Sequence, residues 1–156
     1  MKPYAKGVVL VAPVAATDGD THTTHTAAPL DGKGFDFAQI SIIAGTAADT
    51  TKHLELKITE CDTSNGTFDD ITAFIGTTGT AVTTASGFCI PEACTVGGTQ
   101  AWTVMFDIDL KGRKRYLALT YEIGTNQTFA AFALLSKAAE LPITATKAGV
   151  NVLVQG

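Results

Sequence analysis

Few residues in this chain are equipped for chemistry, and each set has an ordinary reading beside a functional one. His22 and His25 lie three apart with Asp18 and Asp20 close by, donors that suit a transition metal. Residues three apart share a face on a helix. In this Thr-rich stretch they would fall on opposite sides of a strand, and no second ligand pair stands out, so no metal is expected. Asp62, Asn65, Asp69 and Asp70 loosely resemble a calcium loop, but the ordered spacing and the closing bidentate Glu are missing. Asn65-Gly66 reads instead as a hairpin turn. Cys89 and Cys94 enclose Ile-Pro-Glu-Ala, a spacing open to a small disulfide loop. The total of 3 cysteines is odd, and the plainer reading is buried thiols in a protein assembled in reducing cytoplasm.

Carboxylates for acid–base work exist at Glu55, Glu60, Asp107, Asp109 and Glu122. All sit on alternating segments, where outward polar residues are expected anyway. Ser86 and Ser136 lack the flanking residues of a nucleophile elbow, and Gly97-Gly98 lacks the Lys-Ser/Thr of a phosphate loop. The chain is therefore expected to be no enzyme and to need no cofactor. One charge signal remains: Lys111, Arg113, Lys114 and Arg115 crowd a single turn of a chain with 11 basic and 15 acidic residues, net charge -4. Either this is a solvated turn that discourages edge pairing, or it is a docking point that steers an acidic surface. The acidic balance leaves too little positive charge for a nucleic-acid holder.

The elements that position these residues follow from composition and period. A length of 156 residues is that of one domain, 1–156, and an apolar share of 46% excludes a disordered chain. No run reaches the ~20 apolar residues of a membrane-spanning helix. Residues 1–6 form a basic arm. The apolar run Val8 to Pro13 imitates a signal peptide but is too short, and reads as a first strand. Charged residues make up 17% against about 25% in ordinary domains, with Thr, Ala and Gly in their place. β-Branched Thr suits a pleated sheet and Gly suits turns, so the chain is expected to be all-β.

Alternation supports this. In His53 to Cys61, Leu54, Leu56 and Ile58 oppose His53, Glu55, Lys57 and Thr59, the two-residue period of a half-buried strand. Trp102, Val104, Phe106, Ile108 and Leu110 oppose Thr103, Met105, Asp107 and Asp109 in the same way. Arg115 to Ile123 follows the basic turn, and Phe129 to Leu135 is apolar on both faces, so it lies centrally in a sheet or meets another subunit. Gly34 to Ala44 reads as a strand whose alternation slips near Gln39, which predicts a bulge there. Ser136 to Leu141 is the one stretch of helix material. Segments 17–29 and 76–100 are long, polar and Gly/Thr-rich, as contact loops would be. About eight strands at this spacing predict a two-sheet β-sandwich of jelly-roll type, with an open barrel as the alternative.

Three stretches carry a family likeness: Ala12-Pro-Val-Ala-Ala-Thr-Asp-Gly-Asp20, the run from Leu56 through Asn65-Gly66 to Phe68-Asp-Asp-Ile71, and Lys111-Gly-Arg-Lys-Arg-Tyr-Leu-Ala-Leu119 before a small-residue apolar strand. Their order resembles the small head decoration, or cement, proteins of tailed bacteriophages. The resemblance implies a structural virion protein, made in the host cytoplasm, that sits on the outside of the capsid as a homodimer or homotrimer. It would bind the major capsid protein between capsomers, with no nucleic acid and no membrane as partner. Contact candidates are Tyr4, Phe88 and Ile90 in the arms, with core packing the competing role for Phe88, and the basic residues Lys111, Arg113, Lys114 and Arg115. The alternative is a head-fibre, tail-associated or carbohydrate-binding module, which would need Trp102 and Tyr121 to face solvent.

Overall fold

The computed structural model describes residues 5–15, 25–45, 54–71, 75–76, 81–83, 89–91, 101–123, 127–137 and 152–155. Among them six strands are long, of eight to eleven residues: β1 (Ala5–Ala15), β4 (Phe37–Ala44), β5 (Leu54–Cys61), β10 (Trp102–Asp109), β11 (Tyr116–Ile123) and β12 (Thr128–Ser136). Seven short ones fill the intervals: β2 (His25–Thr26), β3 (Leu30–Asp31), β6 (Asp69–Asp70), β7 (Ile75–Gly76), β8 (Ala81–Thr83), β9 (Cys89–Pro91) and β13 (Val152–Gln155). No helix occurs among the described residues.

Two sheets result. The six-stranded sheet runs β1-β12-β4-β10-β13-β7, and the other runs β2-β11-β5-β9-β8, with β3 added on β11 and β6 on β5. From β4 onward, successive long strands change sheets: β4, β10 and β12 lie in the first, β5 and β11 in the second. Counting β2–β3 as one arm and β8–β9 as one hairpin gives the eight arms of a jelly roll, ordered 1-8-3-6 and 2-7-4-5. The expected fold class is what the chain adopts. β6, β7 and β13 are additions to it, and β13 pairs parallel with β10.

The alternation read from sequence points the core side chains inward. Ala38, Ile40, Ile42 and Ala44 of β4, Val104, Phe106 and Ile108 of β10, and Phe129, Ala131, Ala133 and Leu135 of β12 are buried. They face Leu56 and Ile58 of β5 and Leu117 and Leu119 of β11, in one continuous cluster. Tyr121 joins it from β11, stacked on Phe129 across the sheets.

Several expectations are corrected. β4 pairs without a register shift with both β10 and β12, so there is no bulge at Gln39. The apparent slip arises because Phe37, half-buried, lies on the other face from buried Ala38, Ile40 and Ile42, as exposed Ile43 does further along. The bulges lie in β1, between Val9 and Val11 and between Val11 and Val14. The extra residue there lets Leu10 and Val11 both pack on the core. Ser136 ends a strand instead of opening a helix, and residues 138–141 lie outside the described ones. Lys6 of the expected arm is already in β1. The described parts of 17–29 and 76–100 carry β2, β8 and β9, and Ala27 is buried, its N–H donating to the Leu119 carbonyl at 2.8 Å. Asp107, read as an outward polar residue, is 1% exposed. Its Oδ1 accepts a hydrogen bond from Gln39 Nε2 at 2.9 Å, which compensates part of the cost of burying a carboxylate.

Candidate functional site

Two surfaces stand out. The first is the outer side of the six-stranded sheet, where β1, β12 and β4 run side by side. Pairing puts Val9 opposite Phe132, Gly7 opposite Leu134, and Ala130 opposite Ile43. These are neighbours about 5 Å apart on one face. Val9 is 70% exposed, Ile43 51%, Phe132 44% and Leu134 41%. Their patch carries no charged side chain at these positions. Further along the same face Ser41, Met105 and Asp107 are buried, so the exposed apolar area is confined to the β1–β12 side and the end of β4. Strand Phe129–Leu135 is thus flanked on both sides, and its second face is open.

The second surface is the basic turn between β10 and β11. Asp109 Oδ1 caps the Lys111 N–H at 2.9 Å, the Arg113 N–H closes on the Leu110 carbonyl at 3.2 Å, and Gly112 takes φ 83°. The turn is tied down by carboxylates from distant parts of the chain. Arg115 donates from Nε and Nη2 to the two oxygens of Asp31, at 2.9 and 2.7 Å. This bidentate pair holds the Asp31 carboxyl well below its usual range, at about 2, and raises the Arg115 guanidinium. Lys114 Nζ pairs with Asp69, which raises its ammonium, while its backbone N–H donates to Glu60 Oε2 at 3.1 Å. Arg113 reaches Glu60 at 3.9 Å. Three of the four basic residues are therefore staples of the hairpin to β3, β5 and β6. Lys111 alone of the four makes no ion pair among the described residues.

Of the other contact candidates, Tyr4 and Phe88 lie outside the described residues, and Ile90 is described only as the middle of β9, without its side chain. The structure brings Lys111, Arg113, Lys114 and Arg115 together and adds an exposed apolar set, Val9, Ile43, Phe132 and Leu134. The doubly apolar run 129–135 was their signal in the sequence; nothing marked Val9 and Ile43, which need the sheet order to be joined to it. Tyr121 is half-buried, its hydroxyl pushed up by desolvation, with His25 also stacked on it at 5.4 Å. It therefore does not offer the solvent-facing platform that a carbohydrate-binding face requires; the Trp102 side chain, like His22, Asp18, Asp20 and Cys94, lies outside the described residues. The carboxylates Glu60, Asp107 and Asp109 each bond to a backbone or side-chain donor of the fold. Asp69 and Asp70 pair with Lys114 and Lys57.

No protein-family model matches the chain, and no curated protein matches it. Among solved structures, similar chains include the SPBc2 prophage-derived protein YomS, at 14% identity over 85% of this chain and 93% of that one, TM-score 0.40. A chain of the infectious bursal disease virus Gx strain is 13% identical over 91% of this chain and 35% of its own, TM-score 0.36. A carbohydrate-binding module specific for non-crystalline cellulose, CBM28, is 11% identical over 96% and 74%, TM-score 0.36. Likenesses this distant say nothing of what the present chain binds.

Proposed function

We propose that this jelly roll is a structural adhesion protein of a phage head, a decoration or cement protein that binds the outer surface of the capsid between capsomers and stabilises the major capsid protein lattice. The observation that carries this reading is the apolar face of Val9, Ile43, Phe132 and Leu134, open on the outer side of a sheet whose inner side packs into the buried cluster. A contiguous apolar patch of this kind on a soluble domain marks an interaction surface. The partner is protein, the major capsid protein and further copies of the chain as a homodimer or homotrimer. The patch carries no charge to recognise nucleic acid, and the fold is used for holding, with no bond made or broken. Multivalency does the mechanical work: several modest contacts per oligomer on a repeating lattice add avidity without any one strong site.

The experiment is addition of the purified protein to expanded heads that lack it. Sub-stoichiometric saturation at capsomer junctions by electron microscopy, with a raised temperature of head disruption, is the expected result. Heads that neither bind it nor gain stability rule the reading out.

A further inference from the structure

The basic turn borders an open pocket of about 420 Å³ that the sequence did not announce. Phe35 and Leu110 give it an apolar portion, Lys33, Arg113, Lys114 and Arg115 line the rest, and no carboxylate lines it among the described residues. In a chain of net charge -4 this is a local inversion of sign.

The pocket is built before any ligand arrives. The Gly32 N–H donates to the Arg115 carbonyl at 2.9 Å, the Phe35 N–H to the Gly32 carbonyl at 3.1 Å, and the Leu110 N–H to the Asp36 carbonyl at 2.8 Å. A Cβ at Gly32 would come within 3.3 Å of the Arg115 carbonyl, so the two turns approach as closely as glycine allows. Arg115 is fixed by Asp31 through Nε and Nη2, and Nη1 takes no part in that pair. The Lys33 ammonium makes no ion pair among the described residues. The Arg115 guanidinium, held in place, loses little freedom on binding, which is where preorganised sites gain affinity.

The chemistry of the occupant follows from the balance of charge. Four lining cations face three carboxylates just outside the lining, Asp31, Glu60 and Asp69, with Asp36 and Asp109 close by in the chain. A polyanion such as nucleic acid would meet that acidic rim. One carboxylate suits Lys33, the lining cation that makes no ion pair among the described residues, and an apolar neighbour would be buried against Phe35 and Leu110. We propose that this pocket receives an acidic segment of a partner protein, an Asp or Glu carboxylate at Lys33 and Arg115 with the adjoining apolar side chain on Phe35 and Leu110. This goes beyond the proposed function, and the pocket shares no residue with the apolar sheet face, so either can fail without the other.

The test is titration of the full ¹⁵N-labelled chain with the peptide acetyl-Gly-Asp-Leu-Glu-Gly-amide at low salt, followed by amide shifts. The expected result is saturable shifts confined to residues 31–36 and 109–116, weakened several-fold by salt as for exposed charges. Lys33→Gln, an exposed substitution outside the ion pairs, weakens binding several-fold and leaves the rest of the spectrum in place. A peptide with Asn and Gln for the acids loses most of the shift. The proposal is overturned if the neutral peptide shifts the same amides equally. It is equally overturned if inorganic phosphate or a short single-stranded DNA saturates them at lower concentration than the acidic peptide, or if no amide there responds. Phe132→Ser leaves the titration unchanged, whatever it does to binding of heads.

Discussion

The ring of Tyr121 lies flat against that of Phe129, with centroids 4.4 Å apart and planes 14° from parallel. One residue belongs to β11 and the other to β12, so this stack ties the two sheets together near the ends of both strands. Offset aromatic pairs add about 0.5–1.5 kcal/mol beyond their buried area. Phe129 is fully buried, and Phe129→Ala is expected to cost about 3–5 kcal/mol. Tyr121→Ala costs less, because Tyr121 is only half-buried. Urea unfolding of the two single variants and the double variant checks this: a coupling of about 1 kcal/mol is expected, and strict additivity contradicts a direct stack.

The pairing of Asp31 with Arg115 makes stability depend on acid. Asp31 has its carboxyl lowered from 3.8 to about 2, chiefly by the hydrogen bond from Arg115, then by the Lys33 N–H and the charges of both residues. A depressed carboxylate stabilises the fold fully above pH about 4 and loses that contribution as pH falls through about 2. The side chain is 41% exposed, so solvent screening limits the effect to about 0.5–1 kcal/mol. Asp31→Asn is expected to lower stability by that amount at pH 6 and to have a flatter profile between pH 4 and 2. Urea titrations at fixed pH values in that window measure it.

Which parts of this architecture were legible depended on whether the signal was local. The two-residue period around Leu56 and Ile58, and around Val104, Phe106 and Ile108, needs only neighbours in sequence, and it located the core faces correctly. Turn chemistry at Asn65-Gly66 and at Asp109 to Arg113 was equally local. Alternation says which side chains share a face but not what covers the other face, so Asp107 was placed in solvent although it is buried beside Gln39. The same limit produced the supposed bulge in β4, where Phe37 and Ile40, either side of Gln39, serve opposite faces. At the basic turn the spacing revealed a cluster of cations but not their partners, because Asp31 is 84 residues from Arg115 and Asp69 is 45 from Lys114. Phe35 was read only as part of the strand from Gly34 and Lys33 went unremarked, because only the closed sandwich brings them to Leu110 and the turn.

Gly112 tests whether the basic turn is held by backbone geometry. Its φ of 83° is a conformation L side chains rarely adopt, and a Cβ there would meet nothing within 4 Å. Crowding is thus excluded, and the cost of Gly112→Ala is conformational, about 1 kcal/mol. Gly112→Asn is expected to cost about half as much, since Asn tolerates the left-handed region. Chemical denaturation distinguishes the two; equal stability of all three proteins would mean the turn relaxes to another form.

The apolar sheet face makes the sharpest separation between folding and adhesion. Phe132 and Leu134 already bury over half of their surface in the isolated chain, at 44% and 41% exposed. Replacing both with Ser therefore removes some packing along β12, about 1–2 kcal/mol in total, and leaves the sandwich folded. Burying the exposed remainder against a partner is worth about 1 kcal/mol per side chain, or roughly fivefold in affinity each. On a lattice engaged by several copies of an oligomer these factors multiply, so the double variant is expected to lose head binding by far more than the roughly 25-fold loss per copy. Thermal unfolding measured beside a head-binding isotherm reads both quantities on one preparation. A variant that is stable yet binds heads as well as the parent would move the adhesive surface away from this face, while a loss restored by Phe132→Leu with Leu134→Met would keep it there, because apolar area rather than a particular shape is what the contact uses.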